Sequence, residues 1–347
     1  MIQYQIKLKP NKAQEAVFSS WLWHLAGLYN WAVRKIKLDA SDNIYYSKFD
    51  LYALIKGHSK KLGVPAIVLR GTLEDARLAW DRCFKKISKE PRLKSKSRKL
   101  SSISIPEVFE RGDGKKLHIR GLGKIRYFKQ NIPKGLIKRG RILKRASGWY
   151  LSLWIDTLPK KLSIADNKVI GIDPGYKTTL MTSDGLAINI EKQFRIMEKR
   201  LAQAQRGRNR KLVSRIHERV RNRRKDATHK VTTQLTESCD TICFSKDDLR
   251  KLSRDGFGKS VNDAGHGQIR RMLAYKMPNS GRTYIEVNSR NSTKTCSCCG
   301  ALTGPAGRSG LAVRKWACEQ CGAHHDRDIK RGHEHVDCRA RDEPREG

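Results

Sequence analysis

The chain has 347 residues, which is enough for two or three domains with cores of their own. Its 73 lysines and arginines against 34 aspartates and glutamates give a formal charge of +39, which predicts a polyanionic partner, nucleic acid above all. Met1–Pro10 lacks the apolar core of a secretory signal, and no apolar run approaches the roughly 20 residues of a membrane span. We therefore expect a cytoplasmic protein with no membrane partner; a secreted basic enzyme or a membrane-surface protein is the general alternative.

The first hundred residues predict one strand followed by helices. Gln3–Leu8 alternates polar and apolar residues, as a strand does. Asn11 and Gln14 have the spacing of a capping box, so a helix is expected to begin there, and apolar residues then recur at helical spacing. Further helices are predicted over Tyr46–Leu62 and Leu73–Ile87.

A basic segment then interrupts the helical pattern. Lys85–Lys99 holds eight lysines and arginines, one proline and three serines, which predicts an exposed segment facing phosphates, with Lys94 and Lys96 as contacts. A solvated linker is the alternative. Trp80, just before it, is expected to pack between helices, although base stacking is the other role open to it.

Residues 101–158 change to a period of two. Several short strands are predicted, and Ser147-Gly148 is expected to be the turn of a hairpin. Strands of this length and number predict a small barrel or sheet.

Asn167 begins a different pattern, in which strands precede a long helical region. Lys168–Asp173 is a compact apolar strand, and Asp184-Gly185 is a hairpin signal. The helical region is expected to break near Gly207 into a two-helix hairpin. The other predicted elements, in chain order, are strands at Thr178–Thr182 and Leu186–Ile190, helix at Lys192–Ser238, strand at Thr241–Phe244, helix at His266–Ala274 and strand at Thr283–Val287.

The predicted hairpin is strongly basic. Between Arg195 and Lys230 there are 14 lysines and arginines against three acidic residues, an excess that local ion pairs cannot balance. We predict that this surface contacts nucleic acid, with a merely solvated face as the alternative. The predicted contacts are Arg206, Arg208, Arg210, Lys211, Arg215, Arg219, Arg223 and Arg224.

Four of the nine cysteines form two close pairs separated by 18 residues. Cys296 with Cys299 and Cys318 with Cys321 have the spacing of two zinc knuckles, and four thiolates close a tetrahedral structural site. Cys298 is a competing thiol, and His324 and His325, just beyond the second pair, could substitute in a damaged site. An odd cysteine number without a signal peptide favours a reduced compartment over disulfides.

Three carboxylates are candidates for catalysis: Asp173 at the end of a strand, Glu286 in a later strand, and Asp328 near the end of the chain. Carboxylates gathered from separate elements can hold two magnesium ions, which activate water in phosphodiester cleavage. Spacing alone leaves other roles open, because the three could equally be a turn residue, a strand-edge charge and a helix cap.

The sequence resembles the TnpB family, RNA-guided nucleases of bacterial and archaeal transposons, and more distantly the type V CRISPR effectors. The resemblance covers almost the whole chain. The matching segments are Pro10–Ala32, Pro91–Ser95, Gly171–Gly175 with Lys177, Ile285–Gly300 and Trp316–Asp328.

The resemblance implies a multidomain α/β and α+β protein that binds a guide RNA and a double-stranded DNA target in the bacterial or archaeal nucleoid. Asp173, Glu286 and Asp328 would be the triad that binds Mg²⁺ or Mn²⁺, with Asp328 matching better than Asp326. The implied domains are a wedge-like β-barrel (1–10 and 101–166), a helical recognition lobe (11–100), an RNase H-like RuvC nuclease domain (167–292), a zinc-ribbon insert (293–324), the last RuvC motif (325–334) and a polar tail (335–347).

One departure from the family lies just after Asp328. Lys330, Arg331 and Gly332 stand where the family usually has Asn-Ala-Ala and a continuing helix. The primary hypothesis is an RNA-guided DNA endonuclease. The departure keeps open a nuclease-inactive, repressor-like RNA-guided DNA-binding protein, and a zinc-ribbon DNA-binding protein without a guide is a third hypothesis.

Overall fold

The chain divides into two compact units, Met1–Leu158 and Pro159–Gly347, which are described separately. In the part of the chain described below, no helix combines the length and the apolar character that crossing a membrane requires. The computed structural model describes residues 2–106, 116–119, 121–128, 130–157, 167–175, 178–245, 258–287, 294–296, 298–305, 310, 313 and 315–326.

The first unit contains a six-stranded antiparallel sheet with the strand order β2-β5-β6-β1-β4-β3. Its long hairpin β5–β6 turns at Ala146-Ser147, because Arg145 pairs with Gly148; the predicted turn is therefore displaced by one residue. Closure of this sheet into a barrel stays a prediction. The strands are β1 Ile2–Lys9, β2 Ser102–Ile105, β3 Lys116–Ile119, β4 Gly123–Tyr127, β5 Leu136–Arg145 and β6 Gly148–Asp156.

Four helices lie between β1 and β2, and the first has the predicted capping box between Asn11 and Gln14. The helix predicted over 46–62 is two helices, because Gly57 adopts a φ of +83° that a continuous helix excludes. The last helix begins at Ala66, seven residues before the predicted start. The helices are α1 Lys12–Ser41, α2 Lys48–Leu54, α3 His58–Leu62 and α4 Ala66–Phe84.

Helices and sheet of this unit share one hydrophobic core. Phe18 of α1 packs on Trp149 of β6 with 4.7 Å between ring centroids. Trp80 is 5% exposed, and its indole N–H donates to the carbonyl of Val33 at 3.0 Å. Trp80 is thus a core residue, as expected. The helical segment and the strands around it form one unit, so the boundary predicted at 100/101 does not separate two cores.

The second unit is built on a mixed five-stranded sheet with the order β11-β10-β7-β8-β9. β7, β10 and β11 run parallel, and β8 and β9 continue antiparallel from β7. Two further strands form a separate antiparallel pair. The strands are β7 Val169–Pro174, β8 Leu180–Thr182, β9 Ala187–Ile188, β10 Thr241–Ser245, β11 Thr283–Val287, β12 Lys315–Ala317 and β13 His324–Asp326.

The basic region forms the predicted two-helix hairpin, and its break coincides with the predicted one at Gly207. The residue that turns the chain is Arg208, whose φ is +51°, and the side chain of Asn209 caps the second helix. Leu235, Ile269 and Leu273 cover one face of the sheet. The helices of this unit are α5 Gln193–Arg206, α6 Arg210–Ser238, α7 Gly258–Ala264 and α8 His266–Asn279.

Candidate nucleic-acid interface and metal centres

Four predicted nucleic-acid contacts form one row along α6. Lys211, Arg215, Arg219 and Arg223 follow each other at intervals of four residues, and all four are exposed. Side chains four residues apart share a helix face, and each step advances about 6 Å along the axis. We call this row the α6 ridge. It presents four positive charges over about 18 Å, a spacing suited to successive phosphates.

The other side of the hairpin is apolar and buried. Met197, Leu201 and Ala204 of α5 pack against Ile216 and Val220 of α6 in a cluster of their own. This packing fixes which face of each helix is exposed, so the α6 ridge is directed away from the core by the apolar periodicity of the sequence.

The three acidic residues between Arg195 and Lys230 are engaged within the protein. Glu198 pairs with Arg195 and with Lys259, and Asp226 pairs with Lys230 at 2.9 Å. Glu218 is only 7% exposed. None of the three lies in the α6 ridge, so its positive charge is available to an external polyanion.

Three more predicted contacts surround the turn between α5 and α6. Arg206, Arg208 and Arg210 are exposed, and they extend the basic surface beyond the end of the α6 ridge. Arg208 adopts the left-handed conformation that a glycine usually has at such a turn.

Arg224 has a different role from the one predicted. Its guanidinium donates at 3.0 Å to Asp263 of α7, a carboxylate whose side chain is only 1% exposed. The same carboxylate accepts the backbone N–H groups of Phe194 at 2.9 Å and Arg195 at 3.2 Å. Asp263 therefore caps α5 from another helix and binds α6 through Arg224. The prediction that Arg224 contacts nucleic acid is corrected, because its charge serves this buried network.

Lys94 and Lys96 of the first unit lie in a segment that is fixed to α1. The Asn30 amide donates to the carbonyl of Lys94 at 3.0 Å and accepts its N–H at 2.7 Å. The Lys94 ammonium lies 4.4 Å from the Tyr29 ring centroid, while Lys96 is exposed. The segment is therefore fixed to the protein rather than a solvated linker, and its contact with phosphates stays a prediction.

All four predicted zinc ligands come together. The Sγ atoms of Cys296, Cys299, Cys318 and Cys321 lie within 4.8 Å of one another, with 3.5 Å between Cys296 and Cys321 and 3.6 Å between Cys299 and Cys318. A tetrahedral ion with metal–sulfur bonds of about 2.3 Å separates its ligands by ~3.8 Å, so the quartet fits such an ion.

The two halves of the quartet are built alike. Each has the sequence Cys-x-x-Cys-Gly-Ala, with the glycines Gly300 and Gly322 at φ values of +76° and +69°. In each, the first cysteine donates its N–H to the alanine carbonyl, at 2.7 Å and 2.9 Å. This repeat was visible in the sequence and strengthens the metal prediction, because a matched pair of turns is not expected of chance thiols.

Polar neighbours lie beside two sulfurs of the quartet, and one of them favours the thiolate of Cys318. The Thr303 hydroxyl donates to Sγ of Cys318 at 3.2 Å and, as the largest influence, helps to lower the pKa of that thiol to about 6. His325 Nε2 lies 3.1 Å from Sγ of Cys296. His325 thus lies beside the quartet, and four sulfurs already provide a full tetrahedral set.

Asp173 occupies the carboxyl end of the central strand β7 and is 6% exposed. The register places Ile172 level with Phe244 of β10, so the next residue, Asp173, is level with Ser245. Ser245 is fully buried, and its hydroxyl has no hydrogen-bond partner among the described residues. The neighbour of Asp173 on the adjacent strand is thus a serine, and no motif in the sequence marks it as a functional residue.

Glu286 lies elsewhere on the sheet. It is level with Phe244 and Ile172, and β10 separates its strand from β7, a distance of about 10 Å between the outer strands. Successive residues of a strand face opposite sides, so Glu286 and Asp173 are on opposite faces. This register corrects the expectation that the two carboxylates meet.

Glu286 also has a partner of its own. Arg270 of α8 donates to both carboxylate oxygens, at 3.3 Å from Nε and 3.1 Å from an Nη atom. The Tyr284 hydroxyl, on the same strand face, adds a contact at 3.3 Å. These contacts attach α8 to β11, a structural role. Asp328 lies outside the described residues, as do Lys330, Arg331 and Gly332.

Comparisons with known proteins agree with the resemblance noted in the sequence. The family model described as Cas12f1-like, TNB domain, matches residues 266–330. A Streptomyces pristinaespiralis protein named "Putative RNA-guided DNA endonuclease" is 30% identical over 286 residues, which are 77% of this chain and 69% of that protein. A relative from Escherichia coli (strain K12), named "Putative RNA-guided DNA endonuclease InsQ", is 23% identical over 74% of this chain and 70% of its own length.

A solved structure shows the same fold at greater distance. The protein in a cryo-EM structure of a Cas12f1-sgRNA-target DNA complex aligns with 91% of this chain and 81% of its own, with a TM-score of 0.59 and 13% sequence identity. The mixed α/β fold is therefore Cas12f1-like. Given the identity and coverage of the Streptomyces relative and the segments that match along the sequence, this chain belongs to the TnpB family.

Proposed function

We propose that the protein is an RNA-guided DNA endonuclease associated with a transposon, and that it binds a guide RNA and double-stranded target DNA. The observation that carries the proposal is the exposed α6 ridge in a chain that belongs to the TnpB family. Pairing between guide and target would read the DNA sequence, while the protein holds phosphates. The names of the two bacterial relatives support the same activity.

The cysteine quartet is proposed to hold one structural Zn²⁺. Four sulfurs and no nearby open position are typical of closed structural sites rather than catalytic ones. The two glycine turns carry the ligands, so metal binding would fix the fold of the segment between Cys296 and Cys321.

For cleavage we propose a RuvC-type, RNase H-like site at the carboxyl end of β7, with Asp173 as a ligand of Mg²⁺ or Mn²⁺ and Asp328 carried forward as its predicted partner. Divalent ions bound there would activate water and stabilise the leaving oxygen of the cut phosphodiester. Support comes from the mixed sheet and from the burial of Asp173 at a strand end. Glu286 has no part in this site, because it is held by Arg270 on the other face.

A second candidate function is guided DNA binding without cleavage. The specific observation in its favour is Ser245, which lies beside Asp173 on the neighbouring strand. A carboxylate at this position would form a pair with Asp173, and a serine does not. A serine hydroxyl contributes no negative charge to a divalent-ion site. The departure after Asp328 points the same way.

One preparation can separate the two functions. The protein is co-expressed with RNA transcribed from its flanking DNA, and bound and cut members of a plasmid library are sequenced in Mg²⁺ and in Mn²⁺. Endonuclease activity predicts cut plasmids that Asp173→Ala abolishes while guided binding persists. Guided binding by wild type with no cut in either metal establishes the second candidate. Absence of co-purified RNA of defined sequence would reject both.

A further inference from the structure

A groove of about 760 Å³ lies on the first unit, between the amino-terminal half of α1 and the segment 94–101. Lys94, Lys96, Lys99 and Lys144 line it, and none of the described residues that line it is acidic. Leu22, Ala26 and Leu100 add apolar lining. Apolar surface and four lysines together call for a ligand that has a flat apolar part and a negative charge.

Trp23 forms one side of the groove and is 75% exposed. Two tryptophans of the same helical segment, Trp21 and Trp80, are by contrast 2% and 5% exposed and belong to the core. The Trp23 ring stands nearly perpendicular to that of His24, at 82°, and His24 Nδ1 is within 3.0 Å of the Ser20 carbonyl. Thus a large aromatic surface is left on the outside, next to a positioned imidazole.

Gly27 lies one turn after Trp23 and lines the same groove. A glycine inside a helix costs about 1 kcal/mol relative to alanine. A Cβ at this position would meet no heavy atom within 4 Å, so packing within the described protein does not require the glycine. Its effect is to leave open space in the groove that Trp23 also lines.

The opposite wall is held in place. The two hydrogen bonds between the Asn30 amide and the Lys94 backbone fix this end of the segment to α1. The Lys144 N–H donates to the Ser101 carbonyl at 2.8 Å, which ties the far end of the segment to β5. The groove therefore exists before a ligand arrives, and little ordering entropy opposes binding.

We propose that this groove binds an unpaired nucleotide of a single-stranded nucleic acid, with the base stacked on Trp23 above Gly27 and the flanking phosphates on the lysines. Single-strand binding generally combines aromatic platforms with a basic groove, and a duplex would hide the face of the base. The proposal rests on the nucleic-acid binding part of the proposed function and not on cleavage.

The test uses fluorescein-labelled oligouridine and oligothymidine of about 10 nucleotides, with a DNA duplex of equal length as comparison. Affinity is measured by fluorescence anisotropy at one fixed salt concentration. Trp23→Ala is expected to weaken single-strand binding by about 5–150-fold, the loss of one stacked base, while Trp23→Phe retains most of it. Gly27→Leu fills the space beside the ring and is expected to weaken binding while preserving the helix.

Trp31→Ala is the matched control, because Trp31 is also an exposed tryptophan of α1, at 38%, and does not line the groove. It should bind like wild type. A larger Trp23→Ala effect on the RNA assigns the nucleotide to the guide, and a larger effect on the DNA assigns it to a target strand. The proposal is overturned if Trp23→Ala binds both single strands as wild type does, or loses duplex affinity equally. If wild type still binds guide RNA in that case, the proposed function survives and only the groove is refuted.

Discussion

Asp263 is the residue whose removal should most clearly weaken the second unit. Its buried carboxylate accepts two backbone N–H groups at the start of α5 and pairs with Arg224 of α6. Asp263→Ala would leave the two N–H groups uncapped and the partly buried guanidinium without its counter-ion. Loss of a helix cap costs about 0.5–2 kcal/mol, and breaking a buried ion pair from one side costs about 3–5 kcal/mol.

Because these costs share one carboxylate, we expect a combined loss of about 3–5 kcal/mol for Asp263→Ala. For a domain of 150–250 residues each kcal/mol lowers the melting temperature by about 2–4 °C, so the transition of this unit should fall by roughly 6–20 °C. Asp263→Asn keeps one acceptor oxygen and should lose less.

Calorimetry of the full chain measures this, since the two units can melt separately. Asp226→Ala is the control, because it breaks an exposed ion pair of α6 with Lys230 and should cost under about 0.5 kcal/mol. An Asp263→Ala protein that melts within the range of Asp226→Ala would refute the view that this carboxylate joins three helices.

Three other outcomes are expected. Arg223→Ala should reduce the steepness of log affinity for RNA against log salt by about 1 at unchanged melting temperature, whereas Arg224→Ala should chiefly lower the melting temperature. If both variants reduce the steepness equally, Arg224 belongs to the nucleic-acid interface after all. Cys318→Ser should abolish the proposed zinc binding, seen by metal analysis, and expose the segment between Cys296 and Cys321 to protease. Cys298→Ser, outside the quartet, should keep both metal and protection. Burial lowers the pKa of Lys276 to about 8, so the unfolded chain binds more protons than the folded chain above that pH. The stability of wild type relative to Lys276→Met, measured from urea midpoints, should therefore rise between pH 8 and 10. A fall over that range would contradict the prediction.

Local signals explain most of what the sequence predicted well. The capping box at Asn11, the hairpin break at Gly207 and the paired cysteines depend on residues close together in the chain, where spacing and turn chemistry decide the outcome. The split of the predicted 46–62 helix at Gly57 also has a local cause, because glycine readily adopts a left-handed φ. A glycine inside a helical pattern is a signal for such a break.

The remaining features depend on strand order and on contacts between distant segments. Nothing near Glu286 shows that β10 inserts between β11 and β7, so two carboxylates that seem equivalent in sequence end on opposite faces. Similarly, the sequence pattern does not distinguish Arg224 from its basic neighbours. Only the tertiary fold brings it into contact with Asp263, 39 residues away. Such roles are set by tertiary packing, which periodicity does not encode.

The separate apolar cluster of the α5–α6 hairpin has a consequence for how this family can diversify. Met197, Leu201, Ala204, Ile216 and Val220 pack on one another rather than on the core over the sheet. Matched insertions or deletions of whole turns in both helices would preserve that pairing and leave the strands undisturbed. The reach and charge of the hairpin can then change between relatives, or be engineered, independently of the site proposed at the end of β7.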